Sequence, residues 1–207
     1  MDKTDQLKIR IIAPSFKIPN SDLKQCLEAL DKLQIKTLIN SPLFDEKELC
    51  SNTLDKRATD LKDALKETSD YVWCLRGGYG CLHFMPQLLK MKKPLKPKKL
   101  IGFSDITVLH YFFNQTWNWP SLHWKHVNGF LKEVTSSAQN ANQGTNASLS
   151  TIQVEKSFEH KSFQKALHDL KTEKEFIFKN IKPLNEAAKK TQSLKAKVVG
   201  GNLITLQ

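Results

Sequence analysis

Two stretches of this chain carry residue types at spacings that could do chemistry. The first is LIGFSDITVLH, Leu100 to His110. An apolar run, Leu100-Ile101, meets Gly102-Phe103 and then Ser104-Asp105. The helical spacing of Ile106, Val108, Leu109, Phe112 and Phe113 follows. This is strand, sharp turn, helix, with a serine at the corner. Such a corner lifts a serine Oγ clear of a sheet. It also sets that oxygen beside the unpaired N–H groups of a helix start, which can hold an oxyanion. The α/β-hydrolase elbow, G-x-S-x-G, uses two glycines to relieve crowding at such a corner. Here Ile106 stands where the second glycine would be. On local pattern alone Ser104-Asp105 reads more plainly as a helix N-cap, where both residue types are favoured.

The second stretch is Arg76-Gly77-Gly78-Tyr79-Gly80, directly after the apolar segment DYVWCL, Asp70 to Leu75. Glycines at this density let backbone approach a ligand closely. The spacing is neither a P-loop nor a dinucleotide fingerprint. A tight turn without a ligand is one reading. A ligand-holding loop is the other, because the carboxyl ends of parallel strands are where open α/β sheets bind ligands.

The elements that must position these stretches alternate in type. Leu7–Ala13 reads as a buried strand. A helix from about Leu23 to Leu33 follows, capped by Ser21 or Asp22, with Cys26, Leu27 and Leu30 on one face. Ile35–Ile39 is a second strand. A helix over Leu54–Glu67 carries its apolar stripe on Leu54, Ala58, Leu61 and Leu65. Its wet side includes Arg57 and Asp60. Asp70–Leu75 and Lys99–Phe103 are further strands. This order predicts an α/β fold, a mostly parallel sheet flanked by helices. Cys81–Met91 reads as helical although Pro86 interrupts it, and Lys92–Lys99 as an exposed basic connector. Trp117–Trp124 reads as loop plus short strand. Glu133–Ser150 is polar and low in complexity, the composition of a linker. A basic helix over Ser162–Glu173 and a short strand near Phe176 complete the pattern. The expected domains are residues 1–130, a linker over 131–160, and 161–207 as an interdomain segment with the start of a second domain.

Length and composition bound the rest. The 207 residues carry a net charge of +11, almost wholly from lysine, since Arg10, Arg57 and Arg76 are the only arginines. A basic balance raises nucleic acid as a partner, but the lysines are scattered and arginine, the better phosphate fork, is scarce. No nucleic-acid partner is expected. No apolar run approaches the ~20 residues needed to span a bilayer, and the N-terminus has no secretory pattern. Cytoplasmic residence without membrane association is the expectation. Cys26, Cys50, Cys74 and Cys81 form no C-x-x-C pair, so neither a disulfide framework nor a metal site is indicated.

Taken in order, IIAPS (Ile11–Ser15), DKRATDLKDAL (Asp55–Leu65), LRGGYG (Leu75–Gly80), KKLIGFSDITVLH (Lys98–His110) and VVGGNL (Val198–Leu203) resemble the LD-carboxypeptidase family. That family comprises the muramoyl-tetrapeptide carboxypeptidases and their microcin-immunity relatives. The resemblance covers most of Ile9 to Trp124 and resumes at Val198. It implies a cofactor-free serine peptidase that removes a terminal D-amino acid from an L,D-bond in murein peptides, and it allows a homodimer. Ser104 is the implied nucleophile. Backbone N–H groups of Asp105 and Gly78 are the implied oxyanion hole, and Arg76, Gly77, Tyr79 and Gly80 the rest of the substrate loop.

The chain also departs from the family. The family's triad is Ser-Glu-His, with Glu and His beyond the GGNL motif, and neither stands in the 207 residues. His123-Trp124-Lys125 replaces the usual His-Gly-Pro. An N-terminal part with weak or no turnover is therefore expected, because a serine without a base is a poor nucleophile. A non-catalytic binding module of the same fold is the alternative. His83, His110 and His123 each read first as packing or surface residues. His123 is the best placed to substitute as a base.

Overall fold

The computed structural model describes residues 7–69, 71–130, 185–190 and 201. Five strands form one parallel sheet in the order β2-β1-β3-β4-β5. They are β1 (Lys8–Ile12), β2 (Lys36–Leu38), β3 (Tyr71–Cys74), β4 (Lys99–Gly102) and β5 (Ser121–His123). The register pairs Ile12 with Cys74, Tyr71 with Lys99, and Gly102 with His123. The strand order changes direction at β1 and β3. Crevices outside the carboxyl ends of such strands are the ligand sites of doubly wound sheets.

Side chains alternate across the sheet and fill two cores. Ile9, Ile11, Tyr71, Trp73 and Leu75 face α1 (Asn20–Lys32) and the segment carrying Val127 and Phe130. Ile12, Val72, Cys74 and Leu100 face α2 (Leu54–Lys66), α3 (Met85–Leu89) and α4 (Thr107–Trp117). The four cysteines are buried free thiols.

Several local expectations change. Neither Ser21 nor Asp22 caps α1, which begins at Asn20 after Pro19 without a side-chain cap. Pro86 does not break its segment. A 3-10 turn over Cys81–Phe84 leads into α3, and Pro86 sits in the first turn of that helix, where its missing N–H is not needed. Lys98 is not solvated with its neighbours. It is 3% exposed, and its ammonium is held by the carbonyls of Glu67 and Ser69. Arg57 and Asp60 are also buried, not on a wet face.

The expected linker, the basic helix and the strand near Phe176 lie outside the described residues. Past residue 130 these comprise Asn185, the short helix α5 (Glu186–Lys190) and Gly201. Gly201 abuts the first residue of α4, since a Cβ added to it would fall 2.4 Å from Thr107 Cγ2.

Candidate active site

The serine corner forms, and it is not a cap. β4 ends at Gly102, Phe103 is extended at φ −155°, and Ser104 takes φ +60° as the first residue of a 3-10 turn, Ser104–Ile106. An N-cap has β-region dihedrals and a side-chain bond into the turn. Ser104 has neither, and no side chain caps this turn. Left-handed backbone at a non-glycine residue costs about 1–3 kcal/mol and persists only where its surroundings enforce it. Ile106 is fully buried and packs on Gly102, where an added Cβ would meet Ile106 Cγ2 at 3.0 Å. One glycine thus provides the clearance that two provide in the G-x-S-x-G elbow. The Gly102 carbonyl accepts from Trp124 N and bonds His110 Nε2, both at 2.9 Å. Ser104 is half-buried, and among the described residues its hydroxyl has no hydrogen-bond partner.

The Asp105 side chain is buried and ties the corner to two other loops. One carboxylate oxygen, Oδ2, accepts from Ser15 Oγ at 2.7 Å and from Cys81 N at 3.0 Å. The corner after β4, the loop after β1 and the end of the glycine loop are joined there. The Asp105 N–H lies in the first turn, where backbone donors have no intrahelical acceptor. Burial first, and then the Asp105 charge, push the Cys74 and Cys81 thiols up, so neither is a nucleophile at neutral pH.

The glycine loop meets Ser104 at Gly77. A Cβ there would lie 3.3 Å from Ser104 Cβ and 2.8 Å from His126 Cε1, so no side chain fits. Gly78 has φ +135°, and a Cβ on it would overlap the Phe16 ring at 2.6 Å. Arg76 is exposed, donates to Lys17 O at 3.0 Å and lies 5.9 Å over the Phe16 ring. Tyr79 is exposed and meets His83 edge-on.

Arg57 holds this loop from beneath. Its Nε donates to Asn52 O at 2.9 Å, and its Nη1 to Pro14 O at 2.6 Å and Gly80 O at 3.3 Å. Its guanidinium also stacks 5.1 Å over Phe84. The planar fork reaches three loops at once, which a lysine cannot do. Arg57→Leu is expected to lower folding stability by about 3 kcal/mol, because three buried carbonyls lose a charged donor. Urea unfolding measures this; a loss under about 1 kcal/mol would mean that those carbonyls find other partners.

The histidines separate into two kinds. His123 and His83 are exposed. His123 lies edge-on to Phe103 at 6.2 Å and 5.8 Å from the His110 ring. His110 is buried, reaches back beneath the corner to Gly102, and leaves Nδ1 without a partner. His126, which the sequence did not single out, is 6% exposed and closer to the site than His123. Its segment folds across the end of β3, where Trp73 Nε1 donates to Lys125 O at 2.8 Å and Asn128 N to Leu75 O at 3.2 Å. The one signal in the sequence was its place three residues past β5, in a loop at the carboxyl edge. Burial pulls both His110 and His126 down to about 4, against the opposing pull of backbone hydrogen bonds.

Among the described residues no group of three His, Cys, Asp or Glu side chains could hold a metal ion, and no helix is long and apolar enough to cross a membrane.

The sheet order and the strained serine corner beside a glycine loop define an α/β protein whose candidate site lies at the carboxyl ends of β3 and β4. A family model, the LD-carboxypeptidase N-terminal domain, matches residues 9–124. The chain belongs to that family, which is a peptidase family. It is 33% identical over 205 residues to a Rickettsia conorii protein named as a carboxypeptidase by inference, covering 97% of this chain and 57% of that one. It is 31% identical over 118 residues to a murein tetrapeptide carboxypeptidase of Pseudomonas aeruginosa, covering 56% of this chain and 38% of that one. The chain thus spans about half the length of these relatives, or less. In fold it is similar to an MccF-like protein of Bacillus anthracis (TM-score 0.55, 20% identity, 66% of this chain and 44% of that one).

Proposed function

We propose that this chain carries the nucleophile side of an LD-carboxypeptidase site acting on murein-derived peptides. Ser104 Oγ attacks the carbonyl of the L,D-bond that precedes a terminal D-amino acid. The tetrahedral oxyanion accepts from the N–H groups of Asp105 and Gly78. A base passes the Ser104 proton to the leaving nitrogen as collapse breaks the C–N bond, releasing the D-amino acid and leaving an acyl-serine for water to hydrolyse. The loop Arg76–Gly80 lines the substrate's path, and Arg76 is the exposed cation there for a substrate carboxylate. Recycling of murein fragments in the cytoplasm is the setting this reading implies.

The observation that carries the proposal is Ser104 at φ +60°, pressed against Gly77 at the end of the sheet. Backbone strain of this kind clusters at functional positions, which is the ground for reading Ser104 as one. Attack needs a base for the hydroxyl proton, and among the described residues none touches Ser104. An oxyanion hole and binding alone leave about 10³–10⁴-fold over water. We therefore expect the described residues by themselves to turn over slowly or not at all, and the same observation favours the second reading, a module that binds such peptides without cleaving them.

The test is D-alanine release from an L,D-linked murein tetrapeptide, with Ser104→Ala as control. Release near the background rate and unaffected by the substitution is expected for this chain. Fast, Ser104-dependent release would show that a base acts within these residues and would overturn the expectation of low turnover. Absence of any peptide binding would remove both readings.

A further inference from the structure

His126 meets the serine corner through both a hydrogen bond and its ring. Its Nε2 meets Phe103 in one of two ways: as Nε2–H it donates to the Phe103 carbonyl oxygen at 2.9 Å, and in the other tautomer it accepts from Phe103 N–H at 3.3 Å. The shorter contact is the one an Nε2–H donates to Phe103 O. The imidazole also stacks on the Phe103 ring, with centroids 4.2 Å apart and planes at 25°. Its Cε1 edge is where a Gly77 Cβ would go, at 2.8 Å. One buried ring therefore touches both the residue before Ser104 and the glycine beside Ser104.

We propose that His126 is a positioning residue for Ser104: it holds Phe103 extended and sets the height of Gly77, so that the chain must turn through positive φ at the serine. The inference rests on Ser104 being the reacting hydroxyl. Four observations carry it: the hydrogen bond, the ring stack, the Gly77 contact and the anchoring of its segment on β3 through Lys125 O and Asn128 N. A left-handed serine relaxes unless its neighbours over-determine it, and Phe103 is the neighbour that His126 holds by both backbone and ring.

His126 does not act as the base. Nε2 is committed to Phe103, and the charged or titratable groups bearing on the ring are Arg76, His110 and His123, all of one sign. Taking up the serine proton would bury a cation among them. A neutral ring with one N–H to give is what positioning requires.

Three measurements on the full chain test this. The first is the strong intraresidue HN–Hα NOE that positive φ produces at Ser104. The second is the rate of Ser104 labelling by a fluorophosphonate, with Ser104→Ala as blank. The third is the imidazole tautomer of wild-type His126, by long-range ¹H–¹⁵N correlation. His126→Phe keeps the stacked ring and loses the donor. His126→Gln keeps an amide donor near the Nε2 position. His126→Phe is expected to lose the Ser104 NOE and to slow labelling by at least about tenfold, the scale on which small misplacements act. His126→Gln is expected to keep both, with labelling within about threefold of wild type, since it retains one neutral hydrogen bond.

A folded His126→Phe chain with the Ser104 NOE and the labelling rate intact would overturn the proposal. An Nδ1–H tautomer in the wild type would reverse the bond, with Phe103 N–H donating to Nε2, and would overturn the donor role assigned to His126; that measurement stands even if neither variant folds. If wild-type Ser104 does not label, the outcome that slow turnover without a base would give, the NOE and the tautomer decide the role of His126; D-alanine release and peptide binding decide the nucleophile reading.

Discussion

Asp105→Ala is expected to lower folding stability by about 3–6 kcal/mol, because two buried hydrogen bonds to a carboxylate are lost at roughly 1.5–3 kcal/mol each. Both bonds end on Oδ2, and both donors, Ser15 Oγ and Cys81 N, are buried. Alanine leaves the buried Cys81 N–H without its acceptor and leaves Ser15 Oγ only the Cys81 sulfur at 3.3 Å. Among the described residues Asp105 has no ion-pair partner, so its burial is offset by these two donors and not by a cation. Against a typical total of about 5–15 kcal/mol, such a loss leaves the domain near its unfolding threshold. Asp105→Asn presents an oxygen to the same two donors and is expected to lose about 1.5 kcal/mol or less. Ser15→Ala should lose roughly half of the alanine effect, and the double variant should be less than additive, since the two share a partner. Urea midpoints give all four values. An Asp105→Ala chain within about 1 kcal/mol of wild type would show that the carboxylate is not what joins the three loops.

Acid is the second large perturbation. His110 and His126 both sit near a value of 4 in the folded chain, for the same main reason, burial. An unfolded histidine titrates near 6.5. The folded state therefore binds fewer protons than the unfolded state between about pH 6.5 and pH 4. Stability is fully present above the unfolded value and falls as the pH drops through that window. Each histidine contributes about 3 kcal/mol by the time pH 4 is reached. The two bear on each other and on His123, and Arg76 bears on His126. Protonating one therefore makes the second protonation harder. The urea midpoint is expected to drop steeply between pH 6.5 and 4.5, with His110→Asn and His126→Gln each flattening the profile. A midpoint flat across that range would mean that one or both rings reach solvent.

Both effects arise from residues whose importance was only partly visible in one dimension. Alternating apolar runs and amphipathic stretches located four strands and two long helices to within a residue or two at most ends. The reason is that burial on both sheet faces demands continuous apolar strands, and helix faces demand a 3.6-residue period. The ordered pair RGGYG and GFSD marked the family, because close backbone approach admits glycine and few other residues. The short strand at Ser121–His123 was also legible, from the aromatic loop before it.

The tertiary structure decided what distance along the chain conceals. Strand order was one such property, since alternation implies parallel strands but not which of them are neighbours. The burial of Arg57 and Lys98 was another. Each charged head finds its carbonyls on other loops, as Arg57 does on Pro14, 43 residues away, and no local pattern announces such a partner. Ser104 read as a cap because serine before a helix usually is one. Only the packing of Ile106 on Gly102, with Phe103 held by His126, turns it through positive φ instead. His126 itself carried no motif. It matters because the chain after β5 folds back over Trp73 and brings an ordinary histidine against the serine corner. Residue types and period specify the local elements, because those depend on neighbours within a few residues. The strain and the positioning of the serine depend on contacts between loops that meet only once the sheet has formed.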